Sequence, residues 1–265
     1  MADVTARGVR FHVQRMAPAR RTSGPEHPVV FIHGLFVDNL SSLYYSLANP
    51  VAKAGAAVIL YDLRGHGLSE RTITHYGITN SVADLAAVLE VLGVEGPVHL
   101  VGNSYGGTIA LGFAVTYPER VASMVLIEAH VPVPGWTEQM VTTITNIGLN
   151  AAAGDFGRWI AQHRKDARMA SRIRDMITHT SVVADISAIA PLPENALRAL
   201  TCPVRAVYGE HSDVLHHAHI LDGLLSRFTL TVLPDVDHWV LPKATRALRD
   251  IVVEWFTAHA PVHAR

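Results

Sequence analysis

Six short apolar runs punctuate the chain: Val29–Ile32, Ala57–Tyr61, Val98–Val101, Val121–Ile127, Val204–Tyr208 and Phe228–Leu233. Runs of this length and composition suit strands buried on both faces of a parallel sheet. Helical patterns lie between them. Asn80 or Ser81 is placed to cap a stretch whose Val82, Leu85, Leu89 and Leu92 share one face, with Gly93 as its stop. Tyr105 to Tyr117 forms a second, closed by Pro118, and Pro242 to Phe256 a third, opening on a proline whose missing N–H costs nothing there. Strand and helix in alternation predict βαβ units wound on one sheet, an α/β fold. Ahead of them, Val9 to Val13 alternates after Gly8, as an antiparallel entry hairpin does.

The rhythm breaks once. From 130 to 201 no convincing strand appears, and the stretch holds Pro132, Pro134, Gly135, several helical patterns and Ala190-Pro-Leu-Pro193. That is too long for an ordinary loop, so 131–199 reads as an inserted helical subdomain, with 1–130 and 200–265 forming the core. At 265 residues and 49% hydrophobic, the chain has enough apolar material for one large domain. Its formal net charge of −1 gives no global field to recruit nucleic acid or an anionic membrane. One cysteine, Cys202, rules out an internal disulfide framework and a Cys-only zinc site. With no signal-like start and no apolar run of membrane-spanning length, the expectation is a cytoplasmic protein.

Chemistry enters at Gly102-Asn-Ser104-Tyr-Gly106-Gly107, directly after one strand run and directly before a helix. A serine on so tight a turn projects its Oγ above the sheet, and the glycines let neighbouring backbones approach. Serine is a weak nucleophile without a base. Of sixteen histidines, His238 stands just past the last strand, where α/β sites collect. His33 and His66 also lie at strand ends or turns and read as structural hydrogen-bonding groups. For the acid that orients the imidazole, Asp213 leads by position, with Glu210 as its rival and Asp235 and Asp237 closer only in sequence. The order Ser104, Asp213, His238 is the one a strand–elbow–helix hydrolase follows.

With Phe31-Ile-His-Gly34, Asp62-Leu-Arg-Gly-His-Gly-Leu-Ser69, the Ser104 turn, Gly209-Glu-His-Ser-Asp213 and Asp237-His-Trp239 in place, the chain resembles the α/β-hydrolase superfamily over nearly its whole length. The resemblance implies a helical cap (lid) at 131–199 over the site. It also implies an oxyanion hole from the backbone N–H groups of Tyr105 and of Leu35, with Phe36 as a further candidate. A serine at the elbow departs from members that use a carboxylate nucleophile. Leu35-Phe36 after His33-Gly34 departs from the glycine-rich loop of many lipases and of carbon–carbon bond hydrolases. The expectation is therefore a serine hydrolase of esterase or thioesterase type, cleaving a carboxylic ester, thioester or lactone through an acyl-enzyme, with no cofactor and no metal. Its partner is a small acyl substrate, which a carrier or coenzyme A could present. The alternatives are carbon–carbon hydrolysis of a ring-cleavage dienone acid and a ligand receptor on the same fold with slow turnover.

Aromatic residues Phe36, Trp136, Trp159 and Trp239 are candidate pocket residues; Trp136 and Trp159 equally suit the interior of the inserted segment. His211, His216, His217 and His219 crowd round Asp213, but they read as a solvated helix start rather than a metal site. Arg164, Arg168 and Arg172 recur at helical spacing beside Met169, Ile173 and Met176, the pattern of an amphipathic helix with a solvated basic face.

Overall fold

The computed structural model describes residues 2–18, 27–153 and 164–258. Eight strands make one sheet: β1 (Ala2–Ala6), β2 (Val9–Met16), β3 (Val29–Ile32), β4 (Val58–Tyr61), β5 (Val98–Asn103), β6 (Val121–Ile127), β7 (Val204–Gly209) and β8 (Phe228–Leu233). Their order is β1-β2-β4-β3-β5-β6-β7-β8. The β1–β2 hairpin, turning on Arg7 and Gly8 at positive φ, is antiparallel, as is β2 against β4. Every other pairing is parallel. This is the α/β architecture that the apolar runs imply.

Successive side chains on a strand point to opposite faces, so each buried strand feeds two cores. Val30, Ile32, Leu100, Met124, Leu126 and Tyr208 enter one. Val29, Phe31, Val101, Val125, Ile127 and Val207 enter the other. The first face is covered by α3 (Ile78–Val91), α4 (Tyr105–Thr116) and α9 (Leu215–Leu224). The second lies under α1 (Leu40–Leu43), a π turn (Tyr44–Ala48), α2 (Asn49–Lys53) and α11 (Thr245–Ala258). β8 departs from the reading of strands buried on both faces: it is an edge strand, half-buried, with Val232 exposed.

Two helix boundaries also differ from expectation. α3 begins at Ile78 rather than after Asn80 or Ser81, because Ile78 is buried and the Gly77 carbonyl accepts from the Asn80 and Ser81 amides. Pro242 sits in a separate turn, α10 (Val240–Lys243), and the last helix starts afresh at Thr245. Asp237 causes the break: it accepts from the Trp239 amide at 3.1 Å and pairs with Lys243 Nζ at 2.6 Å, winding that turn on itself.

Between β6 and β7 the described residues form α5 (Trp136–Ala153), α6 (Arg164–His179), α7 (Val182–Ser187) and α8 (Glu194–Arg198), and no strand. On α6, Ile173 and Met176 are buried while Arg172 and Arg174 are exposed, the amphipathic arrangement expected. The side chains of Arg164 and Arg168 lie outside the described residues. No described helix is long and apolar enough to cross a membrane.

The elbow is where backbones come closest. A Cβ on Gly106 would fall inside the Ile32 carbonyl oxygen, and one on Gly107 inside the Ala129 side chain. Gly106→Ala should therefore destabilise by about 3 kcal/mol, because backbone rather than a flexible side chain must move. Gly223, in α9 with open space where its Cβ would stand, is the control: Ala there should be neutral or stabilising by a few tenths of a kcal/mol. Urea unfolding midpoints of the two variants check the contrast, and equal midpoints would refute it.

Candidate active site

Parallel strands deliver their C-terminal ends to one edge, and the order reverses between β4-β3 and β3-β5, the crevice where ligands bind in such sheets. Ser104 directly follows β5 with φ 51° and ψ −118°, a conformation L-residues avoid. Its amide still continues the ladder, donating to the Ile127 carbonyl at 2.8 Å. The chain is thus held by β6 while the turn into α4 lifts the side chain out of the sheet. Ser104 Oγ lies 3.3 Å from His238 Nε2. That is a loose hydrogen bond of the kind that tightens when substrate arrives.

On the far side of the His238 ring, two carboxylates approach Nδ1. Glu128 Oε2 is at 3.0 Å and Asp213 Oδ1 at 3.9 Å. Glu128 is buried, whereas the Asp213 side chain is 73% exposed. Burial alone would push the His238 pKa down, but the adjacent Glu128, with the charges of Asp213 and Asp237, raises it overall. Asp235 and Asp237 point elsewhere: Asp235 is exposed beside His211, and Asp237 is engaged by Lys243 and the Trp239 amide.

The loop after β3 is fixed by two buried imidazoles. His33 Nε2 accepts from the Leu63 amide at 2.9 Å while its Nδ1 donates to the Gly34 carbonyl. His66 Nε2 accepts from the Phe36 amide at 2.9 Å while its Nδ1 donates to the Arg64 carbonyl. Asp38 ties the same loop to the elbow, accepting from the Gly34 amide at 3.2 Å and from Asn103 Nδ2 at 2.9 Å. Phe36 N–H is therefore spent on His66. The Leu35 amide beside it donates to no described group, and the Tyr105 amide sits in the first turn of α4, where no helical carbonyl reaches it.

Ser104 and His238 open onto a cavity of about 570 Å³, walled also by Phe36, Trp239, and Met140 and Ile144 of α5. A larger one of about 760 Å³ adjoins it through Phe36 and Asp38 and holds neither Ser104 nor His238.

The sequence matches the model of the alpha/beta hydrolase fold over residues 27–244. The chain belongs to that family. Among curated α/β-hydrolase relatives, it is 36% identical over 107 residues to the 2-hydroxy-6-oxo-2,4-heptadienoate hydrolase of Pseudomonas putida, covering 40% of this chain and 38% of that one. It is 36% identical over 127 residues to lipase LipV of Mycobacterium tuberculosis, covering 48% and 44%. The match thus spans less than half the length of either relative. The esterase EaEST of Exiguobacterium antarcticum superposes with TM-score 0.75 at 20% identity, over 96% of this chain and 98% of that one, a likeness of fold.

Within this α/β-hydrolase site the structure brings Ser104, His238, Leu35, Tyr105, Phe36, Trp239 and Asp213 to one cavity. Trp136 does not line it; the residue is buried in the core. Trp159 lies outside the described residues. Glu128 and His130, both immediately past β6, carried no sequence signal as site residues. The His130 ring stands 5.6 Å from that of His238, with His217 behind it at 5.7 Å. His217 is not the solvated residue expected at a helix start: it is buried, and its Nδ1 accepts from the Val131 amide at 3.1 Å.

Burial holds His33 and His66 neutral, each with its pKa lowered to about 4. The unfolded chain takes protons on these rings near 6.5, so between about pH 6.5 and 4 it binds more protons than the folded chain. Stability is then lost on acidification, by up to about 2 kcal/mol per ring at pH 5. The raised values of His238, Asp38 and Asp62 act with the opposite sign but are common to a variant and its parent. His66→Gln, which keeps an acceptor for Phe36, should flatten the fall in Tm between pH 7 and pH 5. Parallel Tm profiles for variant and parent would count against neutral burial of His66.

Proposed function

We propose that the protein is a serine hydrolase of ester-type bonds. The observation that carries this is Ser104 Oγ at 3.3 Å from His238 Nε2, on a strained elbow facing a cavity of about 570 Å³. In this reading Ser104 Oγ attacks the substrate carbonyl as its proton passes to His238 Nε2. The oxyanion that forms accepts hydrogen bonds from the Leu35 and Tyr105 amides, each worth about 3–4 kcal/mol when well aimed. Collapse of the tetrahedral intermediate breaks the bond to the leaving alkoxide or thiolate, which takes the proton from His238. Water then attacks the acyl-Ser104, giving its proton to His238. The second collapse releases the carboxylic acid and restores Ser104. A carboxylate beside Nδ1 stabilises the imidazolium through both halves. No step calls for a cofactor.

Carboxylic ester, thioester and lactone all meet these requirements, and a lipase stands among the relatives. A second reading, hydrolysis of a carbon–carbon bond in a dienone acid, is favoured by the resemblance to the heptadienoate hydrolase, which is confined to about two fifths of the chain. The segment at 131–199 is proposed as a lid, since Met140 and Ile144 of α5 wall the cavity.

Labelling with a fluorophosphonate, then turnover of p-nitrophenyl esters, acyl thioesters, lactones and dienone acids, tests the reading. The wild-type protein should label covalently and turn over at least one ester-type substrate many times. Ser104→Ala should label not at all and lose at least about 10⁴-fold in kcat while unfolding at a similar Tm. Labelling of the Ala variant removes Ser104 from the mechanism; turnover of dienone acids alone moves the function to the second reading.

A further inference from the structure

We propose that Glu128, directly after β6, is the carboxylate that orients His238, and that Asp213 is at most an auxiliary. This rests on the Ser104–His238 reading above and names the residue that completes it.

Distance separates the two acids first: Glu128 Oε2 at 3.0 Å lies within hydrogen-bond reach of Nδ1, and Asp213 Oδ1 at 3.9 Å lies beyond it. Solvent separates them. Asp213 is mostly exposed, so water with a dielectric of about 80 screens its charge, whereas buried Glu128 acts through a medium nearer 20. Orientation separates them too. Glu128 Oε1 accepts from the Gly209 amide at 2.6 Å, and Oε2 accepts from Ser212 Oγ. Both oxygens are thereby pinned, with Oε2 also turned to the imidazole. The Asp213 carboxylate has no such anchor among the described residues; its backbone carbonyl, not its side chain, meets His216.

The backbone supports the same assignment. Glu128 has φ 50°, nearly that of Ser104, and like Ser104 it keeps its amide in the ladder, donating to the Val207 carbonyl at 3.0 Å. Two non-glycine residues in left-handed backbone at the ends of adjacent strands, both touching His238, are where strain concentrates when it serves a site. His238 Nδ1 is buried, and the 3.0 Å approach of Oε2 lies off the N–H direction, so the ring has no aligned acceptor yet. An acid that only accepts fixes the proton on Nδ1 and leaves Nε2 free to take the one from Ser104.

The competing role is structural, with Glu128 only tying the Gly209–Ser212 turn to β6. Glu128→Gln separates the two: its amide oxygen can still accept from the Gly209 amide and its NH2 can donate to Ser212 Oγ, so the turn stays tied while the charge is removed. The groups facing His238 are Glu128 and His130 past β6, Asp213 past β7 and Asp237 beside it. The pKa of His238, followed by NMR, should fall in Glu128→Gln and move less in Asp213→Asn. Ester turnover and the rate of fluorophosphonate labelling should fall by about 10³–10⁴ in Glu128→Gln, recover at least tenfold in Glu128→Asp, and stay within tenfold in Asp213→Asn. The proposal is overturned if Asp213→Asn is the more damaging change, or if Glu128→Gln leaves both the His238 pKa and turnover at wild-type values. Should Glu128→Gln not fold, Asp213→Asn decides alone by the same threshold. A wild-type protein that never labels defeats the hydrolase reading, while the NMR comparison, which needs no substrate, still tests the Glu128–His238 pairing.

Discussion

The contact on which the rest of the site depends is backbone against backbone at the end of β5. Gly106 packs on the Ile32 and His33 carbonyls, Gly102 on Gly106, and Gly107 on Ala129. Any side chain at these positions would push α4 off the sheet. Because α4 cannot retreat, the chain must turn from strand to helix within one residue, and Ser104 carries the strain of that turn at φ 51°. The same contacts lock the ends of β3, β5 and β6 together. The loop after β3 and Glu128 after β6 are therefore held against the elbow, not merely near it. The cavity walls differ in kind, being formed by side chains such as Met140 and Trp239.

Around that fixed point one residue type does three jobs, and burial with its partners decides which. His33 and His66 are wholly enclosed, each accepting one backbone N–H and donating to one carbonyl, so they remain neutral and act as pins for the Leu35 loop. His130 and His217 are enclosed as well, and burial drives their pKa values down; they add bulk beneath His238 without adding a competing positive charge. Among the described histidines, His238 alone combines partial exposure with carboxylates at one nitrogen and a hydroxyl at the other. A ring that must gain and lose a proton needs water or substrate on one side and a fixed anion on the other.

Much of this was legible in the sequence because it is periodic or local. The apolar runs located six strands, the glycines flanking Ser104 marked the turn, and the position just past the last strand singled out the histidine that the structure places 3.3 Å from Ser104 Oγ. What escaped has no local signature. Glu128 is a lone acid after an apolar strand, and only the pairing of β6 with β7 shows that it reaches Gly209, Ser212 and His238. Asp213 sits in the position that chain order favours, yet order says nothing about exposure. Pro242 suggested a helix start, but the Asp237–Lys243 pair, a contact between a loop and the next turn, placed the break elsewhere. Trp136 suited a pocket by type, yet it is buried in the core, and residue type says nothing about which way a ring faces.

The two carboxylates approach one imidazole from neighbouring strands. β6 and β7 are neighbours, so their C-terminal ends lie side by side, and a single imidazole from the loop after β8 spans both. From β7 an aspartate comes only to 3.9 Å of Nδ1, on the exposed side of the loop, where water solvates it. From β6 the acid comes up from the sheet itself, where the longer glutamate side chain covers the distance and the Gly209 amide replaces the lost water. Removing an anion from water is costly unless its oxygens are hydrogen-bonded, and here they are. The buried position is thus stabilised by the very turn that carries the exposed one. Ser212 and Gly209, which precede Asp213 in the chain, spend their donors on Glu128. The β7 loop serves the site as the cradle of the β6 acid.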